Sequence, residues 1–259
     1  MQKRTPRKAG AAKDGPAAAP PSPEVRRATV AEKVDSILQV VQRISNKGPG
    51  SDRSTPSAAQ GLPLAKLQTL ARRHGRNHEL AAALWAHGSQ EARILAILAD
   101  EPALVTAEQM DLWSEAFENR AVCDAACFHL FDRAPQALDR VAAWSREDGE
   151  LRRRAAFALL AGVALHDEER GDGPFRRFLP AIEAAAVDER SGVRKAVGMA
   201  LKAIGGRSQE LNEAAVAIAR RLAAAEAEAP RRLGADALRA LTGPAAARRL
   251  AARTRAPSS

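Results

Sequence analysis

The stretch AVCDAACFHLF, residues 121–131, holds both cysteines of the chain, Cys123 and Cys127, with Asp124 between them and His129 close behind. Thiols, a carboxylate and an imidazole at this spacing could bind zinc, exchange a disulfide, or frame an acid that stabilises a developing cation. Zinc needs about four ligands. On a helix, Cys123 and Cys127 fall on one stripe with Leu130, Asp124 lies about 100° round, and His129 points away from the stripe. No second cysteine pair occurs. The thiols therefore read as small buried hydrophobes, and neither a metal nor a cofactor is expected. Asp124 has two readings on the residues alone: a solvated carboxylate on a helix face, or a reacting group. His166 and Asp167 could mimic a catalytic pair, but they are sequential at a helix end and read as a C-terminal cap region. Walker A, Gly-x-Gly-x-x-Gly and His-Glu-x-x-His motifs are absent.

The elements that must position these residues are helices. From Leu62 onward apolar residues recur with a 3.6 period, and no segment alternates like a strand. Helices are expected near 62–74, 77–87, 89–99, 106–118, 120–132, 134–146, 149–166, 174–188, 191–205, 208–225, 230–241 and 244–253. Ser89, Thr106, Ser191 and Ser208 are the expected N-caps, and Thr106 with Gln109 has the capping-box pattern. Short helices with single apolar faces are best satisfied by stacking in pairs. The expected fold is all-α, a HEAT-like helical-repeat solenoid over residues 62–253, with a compact orthogonal bundle as the alternative. Ahead of it lie a basic Ala/Pro-rich tail at 1–27, expected to be disordered, a lone or loosely docked helix at 28–44, and a Gly/Pro/Ser linker at 45–61. Residues 254–259 are expected to be disordered.

The chain has 259 residues, 46% of hydrophobic type, enough for a sizeable core. The net charge of +9 suggests nucleic acid, but its location matters. The first 27 residues carry +5, and Arg248, Arg249, Arg253 and Arg255 add +4, so residues 28–247 are close to neutral. Any nucleic-acid surface on the folded body must come from segregating charge onto one face. No apolar leader and no membrane span is expected. A cytoplasmic monomer with reduced thiols is the expectation.

Several blocks in order resemble the HEAT-like DNA alkylation repair proteins, a family of DNA glycosylases for alkylated purines. They are LWAHGSQEARILAILAD (84–100), AEQMDLWSEAFENRAVCDAACFHLFDRAP (107–135), RRRAAFALLAGVALHD (152–167), DERSGVRKAVGMALKAIGGRSQELN (188–212) and RRLGADALRALT (231–242). The resemblance implies a curved superhelix that cradles duplex DNA carrying alkylated bases in a positively lined groove. It implies excision of cationic lesions such as N3-methyladenine and N7-methylguanine without a deep pocket for a flipped base. Asp124 matches the family's catalytic aspartate, which stabilises the sugar cation or positions water. The expected DNA contacts are Arg120, Arg154, Arg194, Lys195, Met199 and Lys202. The basic ones among them would meet phosphates, which position the duplex without reading its sequence.

Two positions depart from the family pattern. Arg120 stands where many members have a tryptophan four residues before the aspartate, and Met199 stands in place of a second tryptophan. An indole face attracts a cationic base and an arginine repels it. Arg120 and Asp124 are i,i+4 neighbours and are expected to pair, an exposed contact worth about 0.3–0.5 kcal/mol, which would offset the acid's field. Trp85, Trp113 and Trp144 read as core or groove-edge residues. Two functional classes follow: an alkylpurine glycosylase with weakened or redirected activity, and a non-catalytic helical-repeat scaffold that binds DNA or a protein.

Overall fold

Helix α8 (Glu150–His166) is buried at every position from Arg154 to Ala164, which makes it the central element of the molecule. Its AAFALLAGVAL run is rich in small side chains, so neighbours can approach closely on all sides. The computed structural model describes residues 23–46 and 61–255. Within them the chain forms α1 (Pro23–Asn46), α2 (Leu64–His74), α3 (His78–His87), α4 (Gln90–Ala99), α5 (Ala107–Glu115), α6 (Arg120–His129) and α7 (Ala137–Trp144) ahead of α8. After it come α9 (Gly173–Arg176), α10 (Leu179–Ala185), α11 (Ser191–Gly205), α12 (Gln209–Ala223), α13 (Glu228–Thr242) and α14 (Pro244–Arg255). No strand occurs among the described residues.

The helices stack in two rows. Helices α4, α6, α8, α11 and α13 pack one after another as an inner row. Helices α3, α7, α10 and α12 cover it from outside, each packed on the inner helix that follows it. Leu84, Ile97, Met110, Phe131, Trp144, Phe157, Leu160, Ile182, Val197 and Leu211 belong to one continuous apolar cluster along both rows. Truncating any such leucine to alanine costs about 2–5 kcal/mol.

The ends depart from the sequence expectation. Helix α1 starts at Pro23, inside the stretch assigned to the tail, and Val34, Ile37 and Val41 bury against the solenoid next to α3. Helix α14 continues through Arg255. The expectations for residues 1–22, for the linker at 47–60 and for 256–259 lie outside the described residues. The helix expected at 174–188 is two short pieces, α9 and α10, because Pro180 restarts the backbone at the beginning of α10.

Caps were partly legible. Ser89, Thr106 and Ser208 each accept a backbone N–H three residues on. Ser191 does not, since it is already the first residue of α11 and Arg190 occupies the cap. The capping box fails too: Gln109 donates its amide to Asp100 Oδ2 at 2.6 Å instead of reaching back to Thr106. Asn77 and Asn119 serve as caps that the apolar pattern did not reveal.

Candidate functional site

Helix α6 carries the candidate acid, and its placement follows from three features. Asn119 caps the helix, accepting from the N–H groups of Ala121 and Val122 at 2.9 and 3.1 Å. Cys123 and Cys127 turn inward against α8, where their thiols point to the carbonyls of Leu151 and Ala155. Both are fully buried, and burial raises the Cys127 thiol well above the ordinary range, which keeps it protonated. Gly162 of α8 completes the fit: a Cβ there would come within 2.7 Å of the Cys127 carbonyl oxygen. With the cysteine stripe inward, Asp124 is forced to the side of the helix that faces the groove. Among the described residues no His/Cys/Asp/Glu group is arranged to hold a metal ion.

Asp124 is held by Arg154, from the next inner helix. The guanidinium grips the carboxylate in two places, Nε to Oδ1 at 2.9 Å and Nη2 to Oδ2 at 2.7 Å. Its third arm, Nη1, donates to the carbonyl of Gly192 on α11. One arginine therefore ties α6, α8 and α11 together. The Arg154 side chain is 6% exposed and that of Asp124 35%. Burial works against the Arg154 charge, but the hydrogen bonds and charge of Asp124 outweigh it, so its pKa lies above the ordinary arginine value. This revises two sequence expectations. The partner of Asp124 is Arg154 and not Arg120. And Arg154 is spent inside the protein, leaving little of it for a DNA phosphate.

The other expected contacts distribute as follows. Arg120 is exposed and near the start of α11, with its Nε 3.6 Å from the Cβ position of Gly192. Arg194 donates to the Asp188 carbonyl at 2.6 Å. Lys202 pairs with Asp236 at 2.8 Å on the surface. Lys195 is exposed. Lys195, Met199 and Lys202 recur at i, i+4 and i+7, so they share one stripe of α11. Arg152, Arg153 and Arg154 diverge to separate carboxylates: Arg152 to Asp111, Glu115 and Glu147, Arg153 to Asp188, and Arg154 to Asp124.

Asp124 and Met199 open onto one groove of about 760 Å³. Its other walls include Leu62, Ile94, Asn119, Phe128 and His129. Phe128 was missed by sequence reasoning. It is half-buried and stands four residues after Asp124 on the same helix face, so its i,i+4 spacing from the acid was the available signal. It gives the groove an aromatic wall. The three tryptophans do not: Trp85 and Trp113 stack face to face at 4.1 Å, and Trp113, Phe131 and Trp144 continue as a ladder inside the core. His166 pairs with the buried Asp132 at 2.5 Å, not with Asp167, whose carboxylate instead accepts from Arg170.

A paired row of helices with an acid held on its inner face is a HEAT-like helical repeat. The model of the DNA alkylation repair enzyme family matches residues 56–241, and the chain belongs to that family. A solved structure described as a new family of proteins related to the HEAT-like repeat DNA glycosylases, with affinity for branched DNA structures, is similar with a TM-score of 0.57 and 18% identity, over 74% of this chain and 81% of that one. An engineered protein (TM-score 0.39, 15% identity, 86% and 84% covered) and a designed armadillo repeat protein (TM-score 0.32, 17% identity, 80% and 100% covered) are also similar. No curated protein matches the chain.

Proposed function

We propose that the protein binds duplex DNA across the inner row and hydrolyses the N-glycosidic bond of a cationic alkylated purine, with Asp124 as the catalytic residue. The observation that carries this is a fixed carboxylate in an open groove. Both of its oxygens are gripped, yet a third of the side chain still faces out. A cationic purine is already a good leaving group. The C1′–N bond breaks with its electron pair passing to the purine ring, which becomes neutral. The sugar is left with the positive charge, and a negative group near C1′ lowers that barrier. Water then bonds to C1′ and gives up its proton. Phe128 and Met199 supply apolar and polarisable walls for the nucleotide. Membership of the DNA alkylation repair enzyme family supports the same reading.

Two observations favour a second reading, DNA binding without base release. Arg154 offsets part of the Asp124 charge, and Arg120 and Met199 stand where the resemblance implies indoles in many members. The similar structure from a group with affinity for branched DNA fits this reading as well. The test is base release from a duplex carrying N7-methylguanine, with wild type and Asp124→Asn compared. The asparagine keeps the shape and removes the charge. Release that falls by a hundredfold or more in the variant supports the glycosylase, since losing a key electrostatic group costs about 10²–10³ in rate. Equal duplex binding by both proteins with no release from either selects the second reading.

A further inference from the structure

A second depression, of about 370 Å³, lies beside the Asp124 groove and is lined by Gln68, Arg72, Gly75, Arg76, His129 and Arg133 among others. His129 is common to both and forms the wall between them. Among the described residues no carboxylate lines this depression. Neither Arg72 nor Arg76 has a carboxylate within 4 Å among the described residues, and Arg133 has only a distant one. Arg72 donates only to the Thr69 hydroxyl, at 3.3 Å. Arg76 donates to the backbone carbonyl of Asp100. The Asp100 carboxylate is already occupied by His78, Gln109 and the N–H of Glu101. Arg133 donates to the His129 carbonyl, and its nearest carboxylate oxygen, on the buried Asp132, is 3.7 Å away. Asp132 already holds His166.

We infer that this depression is a binding site for the phosphate oxygens of a nucleic-acid backbone. Three guanidinium groups around a small open cavity offer forked donors that match phosphate geometry, and the Gln68 amide and His129 ring add neutral donors. The crowding of positive charge shows in the groups themselves, although Asp100, Glu101 and Asp132 act against it. Partial burial and then the Arg133 charge hold Arg76 below the ordinary arginine pKa. Burial first, with Arg133 and His166 adding to it, lowers the pKa of His129 against the pull of Asp132. An anion would relieve both. The site also answers a shortage. Of the cations expected to meet DNA from the sequence, Arg154, Arg194 and Lys202 are engaged within the protein. Arg72, Arg76 and Arg133 lie on α2 and just beyond α2 and α6, and supply the charge next to the acid. A strand whose nucleotide sits at Asp124 would place a neighbouring phosphate across His129 in this cavity. The assignment rests on the duplex-binding reading.

The experiment uses the full chain and Arg72→Gln/Arg133→Gln, both exposed positions, with Arg72→Lys/Arg133→Lys as the charge-preserving control. Inorganic phosphate is titrated at constant ionic strength while the His129 ring resonance is followed by NMR. Duplex affinity is then measured from 50 to 200 mM salt. The expected result is a saturable His129 shift in wild type that the glutamine variant loses. Duplex binding of that variant should weaken about tenfold near 0.1 M salt, with a log–log salt slope shallower by about one, as follows when the protein neutralises one phosphate fewer. The lysine variant should retain most of both. No saturable shift overturns the site. A shift with an unchanged salt slope overturns the backbone assignment and leaves a free-phosphate site. If wild type binds no duplex at any salt, the duplex-binding reading falls and the backbone assignment falls with it.

Discussion

Asp124 differs from an ordinary surface carboxylate in one respect: its geometry is imposed from 30 residues away. Arg154 holds both oxygens in a fork that lysine cannot copy. Arg154→Lys is expected to destabilise the fold by about 1–3 kcal/mol, because two charge-assisted bonds and the Gly192 contact are reduced to one donor; urea unfolding followed by circular dichroism reads this. Base release, where present, should fall as well, since the carboxylate is no longer fixed. Met199→Trp should raise release of N7-methylguanine by restoring a π face to the groove. The same change combined with Phe128→Ala should lose part of that gain. Asp124 and Met199 were both singled out by the family blocks around them, and both line the groove. Arg154 was visible only as a cation, because nothing in RRRAAF says which of three arginines turns inward. Arg120 misled for a related reason. Spacing of i,i+4 shows that two side chains can meet, not that a better-buried donor on another helix will fail to claim the acid first.

At the scale of the helix, α6 is aimed by its cap and by one missing side chain. Asn119→Ala removes an acceptor for two N–H groups and is expected to cost about 1 kcal/mol. Gly162→Ala drives a methyl toward the Cys127 carbonyl, so α6 and α8 must part. The expected cost is about 1–3 kcal/mol, and the Asp124–Arg154 bonds should lengthen; a crystal structure of the variant would measure both the shift and the bonds. Most helices could be read from periodicity because each buries one face, and that signal survives without partners. The restart at Pro180 and the Asn caps were harder. Proline is allowed in the first turn of a helix as well as at its end, and asparagine caps and loops look alike in a sequence.

For the molecule as a whole, acidic pH should act where the repeats are pinned. Asp188 precedes α11, accepts from Arg190 and sits within 3.4 Å of Arg153. The Arg190 hydrogen bonds lead in holding its pKa at about 2, below the ordinary 3.8. A folded-state pKa below the unfolded one gives stability that is fully present above pH 4 and lost as pH falls toward 2. The size is about 2 kcal/mol. Urea midpoints at pH 5 and pH 2 should show this loss, and Arg190→Ala should flatten it. Two rows of stacked helices followed from the pattern of short amphipathic segments. The arginine-lined depression did not, because Arg72 and Arg133 are 61 positions apart and only the folded chain brings them together. The tryptophan ladder has its own consequence, for observation. All three indoles are sealed in the core away from the groove, so intrinsic fluorescence should shift sharply to the red on unfolding and hardly respond to DNA. In Met199→Trp that blindness ends: a single indole in the groove becomes a direct optical reporter of an arriving nucleotide, read against a background that the duplex leaves unchanged.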